Sequence, residues 1–449
     1  MRDASFLLDN NARYLWHPMA HPGEMRAHPP KIVHAAEGVE LTDVHGHRLL
    51  DAVGGLWNVN LGYSCEPVKQ AMREQLERLP YYSAFRGSTT SPLIELSCEI
   101  VEWFAPDGMA RAFFTSGGSD SVESCLRLAR QYHKLNGQPE RTKFISLKKG
   151  FHGTHFGGAS VNGNAHFRRQ YEPLLPGCFH IPAPWTYRNP FGTDDAAAVA
   201  ERCAALLEDE IAFQGADTIA AFIMEPILGA GGVIVPHESF MPRVRDICTH
   251  HGILLIADEV ITAFGRTGAW TGSRLWGAQP DLMSTAKAIT NGYFPFGAVL
   301  IGESLVAAFE SDKTGRASIG HGYTYSGHPV GAAAALATLA ETKRLDVRSN
   351  AAARGAELMA GLEQLMARHA LVGDVRGKGL MAALEIVSDR QKKTPASKDV
   401  VQKVFETAYA RGVMVRTSGN TVILSPPLVI NSGHVVRIIE ALDSALAAA

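Results

Sequence analysis

The feature that most constrains this chain is a short apolar run with no alternation, Ile253-Leu254-Leu255-Ile256-Ala257, ending in Asp258-Glu259. Such a run suits a strand buried on both faces of a parallel sheet. Further strands are read at Ala112–Thr115, Lys143–Leu147, Ile219–Met224 and Phe296–Ile301, with another leading to Lys287. Helical spacing fills the gaps, from about Asp194 to Phe213 and from about Glu238 to His251. Alternating strands and helices imply an α/β fold with a mostly parallel central sheet flanked by helices.

In such a sheet ligands bind beyond the carboxyl ends of the strands, so the residues after each run carry the chemistry. Asp258 there can hold a protonated ligand nitrogen; it can equally cap the next turn. Lys287 follows 29 residues later (287 − 258) on an apolar stem and precedes a turn of Asn, Gly and Pro. It is the only lysine between Lys149 and Lys313. A desolvated ammonium loses proton affinity, and the neutral amine attacks carbonyls. The alternative is a strand-end lysine whose head snorkels to water. Lysine and aspartate on neighbouring strand ends are the pair that pyridoxal phosphate requires.

A second signal lies in ARAFFTSGGSDSVESCLRLARQYH, where a strand meets Ser-Gly-Gly-Ser and a helix follows with Val122, Leu126 and Ala129 on one face. Free N–H groups and a favourable dipole make a helix start an anion site, although small residues there also serve as plain caps. Neither a Walker loop nor a G-x-G-x-x-G fingerprint is present. After Leu147 comes Phe151-His152-Gly153, an aromatic and a histidine that can cover a flat cofactor. Residues 162–200 are proline-rich loops of the kind that shape an entrance.

With 449 residues the chain is long enough for two domains. A net charge of −2 leaves no electrostatic footprint for nucleic acid or an anionic membrane. The six cysteines are scattered without a CxxC, so no disulfide framework or thiolate metal site is indicated. The N-terminus lacks the basic start and apolar core of a signal peptide, and no apolar run reaches membrane-spanning length. A soluble, cytoplasmic protein is expected. Residues 1–60 read as irregular apart from a hairpin turning at His45-Gly46. His17 and His21 are each followed by a proline, Pro18 and Pro22, which argues against a shared helix face, and His250-His251 face different sides of their helix, so neither pair suggests a metal. Trp57 beside a glycine pair reads as core or as a pocket wall. A helix from Glu66 places Val68, Met72, Leu76 and Leu79 on one face, and another spans Pro92–Phe104. Past Gly320 come a small-residue helix, a strand Gly379–Ile386, a helix Lys398–Tyr409, a strand carrying Arg416 and a closing helix, together an α+β unit. The expected division is a large domain, 59–324, and a small domain from both ends, 1–58 and 325–449.

Taken together, SGGSDSVE, FHG, MEP, ADEVITAFGRTG, STAKAITNGYFP, GYTYSGHP and VRTSGNTVILSPPL run nearly end to end. With them the chain resembles the class III (ω-) aminotransferases among the fold-type I pyridoxal phosphate enzymes, closest to the ω-amino acid/amine:pyruvate group. The resemblance implies that Lys287 is the Schiff-base lysine and proton carrier and that Asp258 partners the pyridine nitrogen. Val260 and Phe151 would cover the two ring faces, with His152 and Glu225 close to the cofactor and Gly118 and Ser119 at its phosphate. Thr324 would reach the phosphate in a neighbouring subunit, implying a homodimer, or a dimer of dimers, with shared sites. Arg416 would grip a substrate carboxylate and swing aside for amines lacking one, a task suited to a guanidinium fork. Trp57 and Phe85 would line the substrate pocket.

Two positions depart from the family's usual pattern. Position 151 is Phe where Tyr is common. Position 230 is Ala where ornithine- and GABA-type members carry an acid that neutralises their arginine. The implied reaction is a ping-pong transamination from an ω-amino acid such as β-alanine, or an amine, to pyruvate. A same-fold aminomutase or decarboxylating enzyme, and taurine or diamine donors, are the alternatives.

Overall fold

The computed structural model describes residues 3–449. Near the N-terminus β1 (Val33–Glu37), β2 (Glu40–Asp43) and β3 (Arg48–Asp51) form an antiparallel meander with the expected turn at His45-Gly46. The strand Val413–Met414 joins it, parallel to β3.

The central sheet has seven strands: β4 (Met109–Thr115), β5 (Lys143–Leu147), β6 (Cys178–Ile181), β7 (Ile219–Met224), β8 (Leu254–Asp258), β9 (Leu282–Thr285) and β10 (Gly297–Gly302). Their spatial order is β4-β10-β9-β8-β7-β5-β6. All pairs are parallel except those of β10, which runs antiparallel to both β4 and β9. Every residue of β7, β8 and β9 is buried. One face packs Phe222, Leu255 and Met283 against Leu96, Phe104 and Leu207; the other packs Ala221, Ile223 and Ile256 against Val122, Leu126 and Ala129. Cover on both faces is why these strands are apolar throughout.

The C-terminal part contains β11 (Val372–Gly377), β12 (Ala382–Asp389), a short β13 (Thr394–Pro395), β14 (the strand Val413–Met414), β15 (Arg416–Ser418) and β16 (Thr421–Leu424). Four of them form an antiparallel sheet in the order β11-β12-β16-β15, with β13 alongside β12. Helices Val347–Arg368, Lys398–Ala410 and Ser432–Ala448 pack there. A single apolar core joins Val39, Leu50, Leu61 and Val68 from the start of the chain with Leu358, Leu384, Val404 and Leu442 from its end.

Several expectations need correction. The N-terminal stretch is not all irregular: a helix covers Ala4–Tyr14, capped by the Asp3 carboxylate on the Phe6 N–H. The proline-rich stretch contains β6, an edge strand with only Ile181 buried. In helix Glu66–Arg78 the inward stripe holds Val68 and Gln75, while Leu76 is exposed. At about 100° per residue Leu76 lies roughly 80° from Val68 and Gln75 only about 20°, and Gln75 satisfies its amide on the Leu79 carbonyl. Among the described residues no helix is long and apolar enough to cross a membrane, and no group of three or more His, Cys, Asp or Glu could hold a metal.

Candidate active site

Because β8 and β9 are parallel neighbours, both deliver their chain ends to the same edge of the sheet. Their register pairs Asp258 with Ser284. Asp258 is buried, and its carboxylate is met by three groups: Ser284 Oγ donates to Oδ1 at 3.0 Å, the Val260 N–H to the same oxygen at 3.2 Å, and His152 Nδ1 lies 2.8 Å from Oδ2. Facing a carboxylate, Nδ1 carries the proton, and His152 Nε2 is left buried without a partner.

Lys287 does not end a strand. β9 stops at Thr285, and Lys287 opens the 3-10 turn Lys287–Thr290 with φ +50°. A long side chain with positive φ is uncommon and needs its surroundings to hold it there. Asn291, buried and also left-handed, closes the turn on the Ala288 carbonyl. Its side chain accepts the Leu61 N–H at 2.7 Å and donates to the Gly62 carbonyl at 2.8 Å. Burial holds the Lys287 amine below the ordinary lysine range; Asp258 and Glu225 oppose the shift and Arg416 adds to it.

Glu225 follows β7. Its two oxygens accept the backbone N–H groups of Phe151 (2.9 Å) and Gly229 (2.8 Å). Burial still pushes this carboxyl up to about 7, against the pull of His152 and those two donors.

Beyond β4, Ser116 and Gly117 lead into the 18-residue helix Gly118–Leu135, whose first N–H groups are free for an anion. Packing at Gly118 is tight: a Cβ there would stand 3.1 Å from Val260 Cγ1. Ser119 Oγ accepts the Thr154 N–H at 3.1 Å. A cavity of about 350 Å³ brings together Gly118, Ser119, Phe151, His152, Glu225, Asp258, Val260 and Lys287. The ring of Phe151 packs edge-on against Phe167 at 4.9 Å, so the missing phenol leaves that ring supported.

Pyridoxal phosphate needs an anion cradle, a flat slot, an acid at the ring nitrogen and a low-pKa amine. The helix start at Gly118, the walls Val260 and Phe151, Asp258 and Lys287 provide one residue set for each, in a single cavity. The donor set fits the group.

Four expected residues lie outside that cavity. Trp57 is buried in an apolar cluster with Ile227, Met381 and Ile261, of which Ile261 lines the cavity, and its neighbour Asn58 forms part of the wall. Phe85 is half exposed, with Gly322 close to its ring. Thr324 is exposed, and its carbonyl accepts the Tyr81 hydroxyl at 2.8 Å. Arg416, on β15, is half-buried and has no carboxylate partner among the described residues; burial alone lowers its pKa. Sequence reasoning missed Ser284, Asn291 and Asn58. Ser284 was within reach of it, since pairing two parallel strands in register sets it beside Asp258. Asn291 and Asn58 make contacts across more than 200 residues of chain and leave no local signal.

The family profile for aminotransferase class III matches residues 23–446. Putrescine–pyruvate aminotransferase of Pseudomonas aeruginosa is 38% identical over 412 residues, covering 91% of this chain and 89% of the relative. Among solved structures, an amine transaminase from an uncultivated Pseudomonas species in its PLP-bound form superposes with a TM-score of 0.95 at 45% identity, covering 97% of this chain and 98% of that one. A thermostable (S)-enantioselective ω-transaminase from Thermomicrobium roseum also reaches 0.95, at 37% identity, covering 100% and 99%. Sequence, fold and cavity agree: the chain belongs to the class III aminotransferases, with the fold of the fold-type I enzymes and pyridoxal phosphate as its cofactor.

Proposed function

We propose that this aminotransferase moves an amino group from an ω-amino acid, of which β-alanine is one candidate, or from an amine to pyruvate. The products are alanine and an aldehyde or ketone. The observation that carries the reading is Arg416: a half-buried guanidinium on β15 that has no carboxylate partner among the described residues and whose charge helps lower the Lys287 amine. Position 230, in the turn after Glu225, is Ala and offers no acid to it. A guanidinium with no carboxylate partner among the described residues suits a small oxo acid and can turn to water when the donor has no carboxylate. The relative that acts on putrescine and pyruvate supports the same acceptor and makes a diamine the second donor class.

Pyridoxal phosphate, when bound, supplies an aldehyde carbon that condenses with amines and a ring that takes up electrons from the bond being broken. The chain's own residues do the rest. The Gly118–Ser119 helix start would hold the phosphate, and Val260 and Phe151 would wall the ring. Asp258, fixed by Ser284 and His152, would keep a proton on the ring nitrogen. Lys287 would carry the cofactor and, once the donor's amine had replaced it there, its Nζ would act as the base and acid that moves the proton from the donor carbon. Pyruvate would accept the amino group in the second half-reaction.

Residues 59–324 are assigned as the cofactor-binding domain, with 1–58 and 325–449 as the smaller one; the core that Val39 and Leu50 share with Leu384 and Leu442 supports joining the two chain ends, and Leu61, Cys65 and Val68 of the larger domain pack into the same core. The exposed Thr324 and Phe85, outside their own chain's cavity, support a homodimer in which each copy completes its partner's site. A cytoplasmic location is part of the same reading.

Arg416→Ala tests the acceptor assignment. KM for pyruvate should rise about tenfold to a hundredfold, the worth of a charge-assisted pair. The half-reaction with an amine lacking a carboxylate should stay within about threefold. Equal losses with both substrates would remove Arg416 from acceptor binding.

A further inference from the structure

Asp51 ends β3 and is buried, and among the described residues no ion pair engages it. Its carboxylate instead gathers four hydrogen bonds. Oδ1 accepts the N–H groups of Val53 (2.8 Å) and Gly54 (2.9 Å); Oδ2 accepts the Gly55 N–H (2.8 Å) and the Tyr63 hydroxyl (2.6 Å). Three successive backbone donors converging on one anion form a nest, here filled by a side chain of the same chain. Burial and the Asp51 charge push the Tyr63 phenol far up, so it remains a donor.

The segment held this way is strained. Gly54, Gly55 and Trp57 have φ of +59°, +64° and +66°. A Cβ on Gly54 would stand 2.6 Å from the Ser425 carbonyl oxygen. For Trp57, a bulky aromatic, the left-handed region is an outlier that persists only where the surroundings over-determine it. Asp51 supplies that over-determination within six residues of chain. The outcome is that Trp57 packs in the cluster behind Ile261 while Asn58 forms part of the cavity wall. The same anchor touches the strand leading to Arg416, because the next residue, Ala52, donates its N–H to the Met414 carbonyl at 3.0 Å.

We propose that Asp51 is a positioning residue for the substrate side of the pocket: its carboxylate locks residues 53–58, and with them Asn58 in the cavity wall and Trp57, which backs that wall at Ile261 and so sets which amines are accepted. The inference rests on the reading of Trp57 as a residue that shapes that wall. A merely structural Asp51 would change stability and leave selectivity alone.

The test uses the holoenzyme and compares kcat/KM for a bulky arylalkylamine with that for a small linear amine, beside cofactor affinity by absorbance titration. Asp51→Asn, which places an amide N–H against backbone donors, should raise the bulky-to-small ratio about tenfold, within the usual reach of a pocket change. Cofactor affinity should stay within about threefold. Tyr63→Phe, which removes one of the four bonds and keeps the charge, should shift the ratio the same way by about threefold; it carries the test if Asp51→Asn does not fold. Trp57→Ala should raise the ratio by itself, and adding Asp51→Asn to it should give little further change. If Trp57→Ala shifts the ratio while folded Asp51→Asn and Tyr63→Phe keep the wild-type value, the inference is overturned and the reading of Trp57 stands. If Trp57→Ala leaves the ratio unchanged, the wall reading itself fails and takes the inference with it.

Discussion

Replacing Lys287 by alanine should leave a folded protein that still binds pyridoxal phosphate but turns over amine about a thousandfold more slowly or worse. The loss combines the attachment point of the cofactor with the base that moves the proton, and positioned acid–base catalysis alone is worth about 10²–10⁴-fold. The fold should tolerate the change. The Lys287 side chain has no hydrogen-bond partner among the described residues, and burial already disfavours its charge, so alanine removes a desolvation cost rather than a bond. The turn itself is held by Asn291, not by the lysine side chain. Steady-state turnover beside a cofactor titration checks this, and a small added amine such as methylamine should restore part of the rate. Activity within about tenfold of wild type would show that another group moves the proton.

Asp258→Asn should lower kcat by about 10²–10³-fold, the usual consequence of removing one preorganised electrostatic partner from a buried site. The geometry should survive. An Asn oxygen can still accept from Ser284 Oγ and the Val260 N–H, and its NH₂ can face His152 once the imidazole moves its proton to Nε2, which has no partner now. Lost activity with nearly intact cofactor binding therefore separates the charge of Asp258 from its shape. A single-turnover half-reaction within about fivefold of wild type would mean that the ring nitrogen draws no help from this carboxylate.

Much of the site was legible because its chemistry sits at strand ends. Ile253–Ala257 announces a two-sided buried strand, and Asp258 follows directly. Gly118 and Ser119 open a helix whose apolar face, Val122, Leu126 and Ala129, is written at helical spacing. The errors have physical reasons too. Edge strand β6 buries little of its surface and so reads as loop. Helix Ala4–Tyr14 buries no residue. The stem of Lys287 reads as a strand up to the lysine, whereas β9 ends two residues earlier, at Thr285, and Lys287 opens a 3-10 turn. Contacts such as Asn291 with Gly62, or Asp51 with Tyr63, are invisible to periodicity because polar side chains make them to particular distant atoms, backbone in the first case and side chain in the second.

The most direct measurement is the absorption spectrum of the cofactor-loaded protein, taken with an amine donor but no acceptor and again after pyruvate is added. The account predicts that a suitable amine bleaches the cofactor band, that pyruvate restores it with one equivalent of alanine formed, and that Lys287→Ala shows neither change at a comparable rate. A band that no amine alters, or one that responds equally well without Lys287, would contradict it.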